Sequence, residues 1–275
     1  MSGVALRINQ LRNPIHGTSA VVAFDHGFNG MVAGGEDARA IIERLATASI
    51  DGILIGPGLL PQLSPLLAHP GAPRVIATLD GGTFGVLPGI EHPLTHHRRA
   101  VSPAFALRHG AVAAKMILPL GLGDTKALAE STSLLGRTAE ECDALGLPFM
   151  IEPAFWGADL DGVDDDMIRH AARMATELGA TILKLPAPSR PEVITEIGSH
   201  LAVPVWVLGG VPTAGGGIGS SIVEWMRAGA TGVAIGRNIW GRPNLTAAVD
   251  GLTAAVHHLD AERAEARFAA ADVAP

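Results

Sequence analysis

Four stretches of the chain share one design: RHGAVAAKMIL (residues 108–118), ALGLPFMIE (144–152), ELGATILKL (177–185) and RAGATGVAIG (227–236). Each closes a helix-like segment on a glycine and runs at once into an apolar strand. Working outward from these units, short apolar runs ended by Gly, Pro or a charge mark eight strand candidates. They are Ala20–Asp25, Gly52–Gly56, Arg74–Asp80, Val112–Leu118, Pro148–Pro153, Thr181–Pro186, Val205–Gly209 and Gly232–Arg237. All eight are continuous apolar runs, the pattern of parallel strands buried on both faces. Helical periodicity fills the gaps, as in EDARAIIERLATASI and DDMIRHAARMATELG. Eight strand–helix steps of about 30 residues each make a (β/α)8 TIM barrel the expected fold. A doubly wound open sheet is the alternative, but AVVAFDHGFNG supplies no G-x-G-x-x-G turn after the first strand. The expected organisation is one barrel domain over residues 1–275. Residues 1–18 would cover the barrel bottom or meet another subunit, and 243–275 would form a final helix and tail.

Composition agrees with a packed, water-soluble barrel. Of the 275 residues 48% are apolar and 17% charged, which excludes disorder. The 34 Gly and 19 Pro follow no fixed period, so collagen-like and linker architectures are excluded too. A net charge of −7 without a basic run argues against a nucleic-acid partner. No segment reaches the run of about 18 apolar residues needed to span a membrane, and the N-terminal residues carry no signal-peptide pattern. The single Cys142, in a helix-like segment, is expected to be buried and fits a reducing compartment. The expectation is a cytoplasmic protein, assembled as a homo-oligomer because of its apolar surplus.

The chemistry is expected at the C-terminal ends of the strands. The sequence has no tyrosine and only three lysines, Lys115, Lys126 and Lys184. Lys115 and Lys184 interrupt apolar strands, where burial drives an amine toward the neutral form that condenses with a carbonyl. A lysine capped by a carboxylate is the structural alternative for each. Asp25 and Glu152, on strands one and five, are placed to converge over the barrel axis as proton carriers, with the amine of strand six between them. Asp80 closes strand three, and His26 follows Asp25 as an acid or base, a helix cap or a core residue. The segment VLGGVPTAGGGIGSSIVEWMRAGATGVAIGRNIW (207–240) joins a Gly-rich loop to a helix start with Ser220 and Ser221, and then to Gly236-Arg237. Backbone amides of such a loop and helix start form an anion cradle, so a phosphate is expected there, with Arg237 closing on it. The histidines show no metal-ligand spacing, and neither metal nor cofactor is expected. His96, His97, Arg98 and Arg99 are read as the start of a solvated helix, with contact to a second anionic group as the alternative.

Three motifs carry a resemblance to a known family. AFDHG after the first strand, ILKLP on the sixth and GG…AGATGVAIGRNIW at the end are similar to those of class I, Schiff-base-forming aldolases. These are the DeoC group of bacterial and archaeal fructose-bisphosphate aldolases, near the tagatose-bisphosphate and sulfofructose-phosphate aldolases. The resemblance spans residues 20–242. It implies that Lys184 forms the Schiff base, that Asp25 belongs to the site, and that Gly209, Gly210, Gly236 and Arg237 hold the phosphate of a sugar-phosphate substrate; Asp80, at the end of strand three, is expected beside them as a substrate-binding residue. In the archaeal branch a tyrosine on strand four moves the proton. Here Lys115 occupies that strand, and AAKMIL with MIEP resembles the tagatose and sulfofructose branch, which implies Glu152 and Lys115 as the acid–base groups. The implied activity is metal-independent carbon–carbon cleavage or formation. A transaldolase-like or acyl-transferring synthase is the alternative, and an inactive phosphate-ester-binding barrel is the alternative from another class.

Overall fold

A computed structural model describes residues 2–29, 34–80, 97–121, 124–155, 162–210 and 217–273. Eight parallel strands close into a barrel in sequence order: β1 (Ser19–Phe24), β2 (Gly52–Ile55), β3 (Arg74–Thr78), β4 (Ala111–Leu120), β5 (Phe149–Phe155), β6 (Ile182–Leu185), β7 (Val205–Leu208) and β8 (Gly232–Ile235). The expected (β/α)8 architecture is therefore present, and each strand lies within a few residues of its sequence-based bounds. Closure pairs β8 with β1 through Ser19↔Gly232 and Val22↔Ile235.

The helices that wrap the barrel include α1 (Ser2–Gln10), α2 (Ala38–Ala46), α3 (Leu60–Leu63), α4 (Pro103–Arg108), α5 (Thr125–Ala144), α6 (Asp165–Glu177), α7 (Glu192–Leu201), α8 (Ile218–Arg227) and α9 (Arg237–Trp240). Their starts are local chemistry: Asp37, Ser102, Asp124 and Asp164 each accept a first-turn amide, as N-cap residues do. In α6 the buried side chains Ile168, Ala171, Ala172 and Ala175 follow the i, i+3, i+4, i+7 stripe that faces a sheet. Cys142 is buried in α5, and loss of solvation pushes its thiol up to about 12, the state of an inert packing residue.

Two layers of core result. One lies between strands and helices, and the other fills the barrel itself with Val21, Ala23, Leu54, Ile76, Ala113, Met150, Ile182, Trp206 and Ala234. Leu11, fully buried, plugs that inner layer from below. The N-terminal segment thus covers the barrel bottom, and Arg7 Nη1 donates to Gly146 O at 2.7 Å. The C-terminal stretch departs from expectation. It folds as two helices, α10 (Leu245–His258) and α11 (Ala261–Ala271), not one. Asp260 caps the second and breaks the run, with its side chain accepting from Arg263 N.

Candidate active site

The inner layer decides which polar residues meet. Side chains alternate along a strand, so residues two positions on from an inward-facing one also point inward. Val21 and Ala23 lead to Asp25, Ile76 to Thr78, Ala113 to Lys115, Met150 to Glu152 and Ile182 to Lys184, all toward the C-terminal mouth. One irregularity sets the parity of β4. Val75 pairs with Ala111 but Ile76 with Ala113, so Val112 is an extra residue bulged out of the ladder.

The result is a buried quartet of two ammonium and two carboxylate groups. Glu152 Oε2 lies 2.8 Å from Lys115 Nζ and accepts from Lys184 Nζ at 3.0 Å. Lys115 Nζ also donates to Asp25 Oδ2 at 3.2 Å, and Thr78 Oγ1 donates to the same oxygen at 2.8 Å. The amine between the two carboxylates is therefore Lys115, not the strand-six lysine the sequence suggested. The expected depression of a buried amine is also reversed at Lys115. Burial opposes its charge, but Glu152 and Asp25 outweigh that and hold it well above the ordinary lysine range. Burial equally opposes ionisation of Asp25 and Glu152, and the ammonium groups overcome it, holding both carboxyls below their ordinary values. At neutral pH these directions favour an ammonium at Lys115 and ionised carboxyls at Asp25 and Glu152 in the resting site.

Around this quartet, the rim is tied down by side-chain-to-backbone bonds. His26 is desolvated, which lowers its pKa against the opposing pull of Asp25, and its Nδ1 is buried without a hydrogen-bond partner. Trp240 Nε1 donates to Ala23 O at 2.9 Å, and Asn238 Nδ2 donates to Gly209 O at 3.0 Å, so the exits of β1, β7 and β8 are stitched together. Gly236 has no room for a side chain: a Cβ there would sit 2.4 Å from His26 Cε1 and 2.7 Å from Ala23 O. At Gly209 a Cβ would meet Ile235 Cγ2 at 2.6 Å. Gly210 takes a φ of 62°, the left-handed region that suits glycine. Arg237 Nε, beside Gly236 in sequence, is buried and has no hydrogen-bond partner among the described residues.

Two expectations are corrected here, for the start of α8 and for residues 97–99, and Asp80 is found between the strands and that segment. The start of α8 does not present free amides, because Glu265 of α11 accepts from Gly217 N at 3.1 Å and from Ser220 N at 2.7 Å. The protein supplies its own anion at that helix terminus. The intervening loop 211–216 lies outside the described residues. Asp80 turns its Oδ2 to Ile117 N at 2.7 Å and to His97 Nε2 at 2.8 Å, and is itself 3% exposed. It pins β4 to the segment at 97–101 and forms no hydrogen bond with the quartet. That segment is no solvated helix start, since His97 is buried and Arg99 Nη1 pairs with Glu141 at 2.8 Å. His96 lies outside the described residues.

Among the described residues no group of three or more His, Cys, Asp or Glu side chains is placed to hold a metal ion. Nor is any helix long and apolar enough to cross a membrane. The model of the DeoC/LacD family aldolases matches residues 19–242, from the first residue of β1 to just past α9. The chain belongs to the DeoC/LacD family of aldolases.

It is similar, at 26% identity over 87% of its length and 89% of the other's, to an uncharacterized aldolase of Saccharolobus solfataricus. It is 28% identical to the 2-amino-3,7-dideoxy-D-threo-hept-6-ulosonate synthase of Halobacterium salinarum, over 90% of this chain and 89% of that one. A solved archaeal fructose-1,6-bisphosphate aldolase, with its catalytic lysine bound to a carbinolamine intermediate, superimposes with a TM-score of 0.76 at 23% identity, over 92% of this chain and 99% of that one.

In this aldolase-family chain, Lys184, Glu152, Lys115 and Asp25 are brought into one hydrogen-bonded group, whereas the reading of strand ends expected Asp25 and Glu152 to converge around Lys184. Gly209 follows β7, and Gly236 and Arg237 follow β8, with Gly236 packed against His26 beside the exit of β1. Sequence reasoning missed Thr78, although a hydroxyl at the end of RVIAT was a visible interruption of an apolar strand. It also missed Glu265, which carries no local signal, being 45 residues from the amide it caps.

Proposed function

We propose that the protein is a class I aldolase that cleaves or forms a ketose phosphate through a Schiff base on Lys184. The observation that carries this reading is the division of labour between the two buried lysines. Lys115 is paired with two carboxylates, whereas Lys184, among the described residues, forms an ion pair with Glu152 alone. Lys184 gives up one proton of its ammonium to Glu152, at hydrogen-bond distance, adds to the ketone carbon and then gives up a second, and Glu152 returns both to the oxygen, which departs as water and leaves a protonated iminium. The iminium then draws the electrons of the C3–C4 bond. The C4 hydroxyl passes its proton to a carboxylate, Asp25 or Glu152, and the aldehyde leaves. Protonation of the enamine at C3 and hydrolysis of the iminium release dihydroxyacetone phosphate and restore the amine. Lys115 in this scheme keeps both carboxylates ionised and oriented, and Asp80 holds strand β4 in place. Gly209, Gly210, Gly236 and Arg237 bind the phosphate, with Arg237 Nε, unpartnered among the described residues, available to it. The reaction needs neither metal nor cofactor, and EDTA leaves its rate unchanged. Its setting is the cytoplasm, and a homo-oligomer is the expected assembly.

A second reading is a transaldolase-like synthase that hands the lysine-bound fragment to another acceptor. It is favoured by the name of the Halobacterium salinarum relative, which aligns over 90% of this chain. The test is borohydride reduction in the presence of dihydroxyacetone phosphate, followed by peptide mass spectrometry. An adduct on Lys184 is expected, and turnover with a panel of acceptor aldehydes then separates simple cleavage from transfer. Phosphate-ester binding without any adduct would instead mark a non-catalytic barrel.

A further inference from the structure

A second basic site lies away from the buried quartet. Between the 97–99 segment and the outward face of α5 is a cavity of about 650 Å³ lined by Arg98, Arg99, Lys126, Ser133 and Arg137, with Glu130 as the opposing charge. Lys126, Glu130, Ser133 and Arg137 recur at helical spacing and are all exposed, so one stripe of α5 forms a wall. Charge balance at this wall is incomplete. Arg99 is neutralised by Glu141 and also donates to Thr138 Oγ1 at 2.9 Å. Among the described residues Arg137 donates to the neutral Ser133 Oγ alone, at 2.6 Å. Among the described residues neither Arg98 nor Lys126 has an ion-pair or hydrogen-bond partner for its side chain. Three uncompensated cations against one carboxylate, in a chain of net charge −7, is an accumulation that solubility does not require.

We infer that this cavity binds a small, multiply charged anion of the phosphate-ester or diphosphate class. Arg98 and Arg137 offer planar forks and Lys126 a point charge, the combination that recognises phosphate oxygens. The volume suits a molecule of nucleotide or sugar-phosphate size, and the negative net charge of the chain disfavours a long polyanion. The site also has a mechanical connection to the barrel. Arg98 adjoins His97, whose ring bonds Asp80, and Asp80 in turn holds Ile117 N on the strand that carries Lys115.

The probe is inorganic pyrophosphate, titrated calorimetrically into the full chain carrying Arg237→Gln, which weakens the phosphate subsite proposed at the barrel mouth. One pyrophosphate per chain is expected to bind. Adding Arg98→Ala and Lys126→Ala, both at exposed positions and with the fold checked by circular dichroism, is expected to weaken binding about tenfold or more. Replacing two exposed arginines elsewhere, Arg39 and Arg263, is expected to leave it unchanged. The inference is overturned if the Arg237→Gln protein binds no pyrophosphate, if the Arg98 and Lys126 substitutions leave affinity intact, or if the control pair weakens it equally. None of these outcomes depends on aldolase turnover.

Discussion

Lys115 and Lys184, on β4 and β6, reach the same oxygen of Glu152, at 2.8 and 3.0 Å. The two lysines are thereby made unequal. Lys115 has a second carboxylate, Asp25, and remains an ammonium, while Lys184 holds only a share of Glu152. Replacing Lys184 by Met is accordingly expected to abolish turnover with little change in the unfolding midpoint, since Glu152 keeps its closer partner. Initial rates and urea unfolding of the same preparation check this.

Removing Lys115 has the opposite signature. Lys115→Met leaves Asp25, whose side chain is 9% exposed, with the Thr78 hydroxyl in place of its ion pair, and leaves Glu152 with Lys184 alone. Breaking a buried pair in this way costs about 3–5 kcal/mol. Urea unfolding at neutral pH should show that loss, and a loss below about 1 kcal/mol would mean that the carboxylates are relieved by other means.

The quartet also dictates how stability varies with pH. Asp25 and Glu152 have folded values below their ordinary 3.8 and 4.5, so their contribution is complete above those values and is lost as pH falls through the folded ones. His26, lowered from 6.5, adds to the acid limb, because a proton binds more readily once the chain unfolds. Lys115, raised from 10.5, contributes fully below that value and loses its contribution as pH rises through the folded one. Thermal midpoints should therefore be level from about pH 7 to pH 10 and fall in acid first. In Lys115→Met the gap to the natural protein should close toward acid, as Asp25, deprived of its ion-pair partner, takes up a proton.

Gly236 tests how tightly the rim is built. Gly236→Ala puts a methyl 2.4 Å from His26 Cε1 and 2.7 Å from Ala23 O, an overpacking expected to cost about 1–3 kcal/mol. Combining it with His26→Ala removes the first clash and leaves the second. A double-mutant cycle in urea should therefore recover part of the loss, and complete additivity of the two changes would contradict the packing described.

Glu265 is predicted to matter although it lies outside residues 19–242, the stretch shared with the family. Glu265→Ala leaves the amides of Gly217 and Ser220 without their acceptor at the start of α8, a cap worth about 1 kcal/mol. Because α8 follows the Gly-rich loop after β7, a rise in KM for a phosphorylated substrate should exceed any change in kcat. Glu265→Gln, which keeps an acceptor oxygen, should lose less of both.

The sequence alone determined the architecture. Continuous apolar strands alternating with helical segments, repeated eight times and in four places joined through a helix-ending glycine, leave the barrel as the arrangement that buries both faces of every strand. It also determined the cast of chemical groups, since lysine inside TILKL or VAAKMIL is costly and the chain has no tyrosine to take a proton. What it left open is who touches whom. In a strand apolar on both faces there is no alternation to show which residues point inward, so the meeting of Thr78 with Asp25 and of Lys115 with two carboxylates stayed hidden. Register and the bulge at Val112 decided those contacts, and they turned Lys115 from a candidate nucleophile into an ammonium paired with two carboxylates. The start of α8 shows the same limit. An anion site was legible in its glycines, but only the packing of α11 against α8, with Gly219 too close to Ala264 to carry a side chain, decided that a carboxylate of the protein itself occupies it.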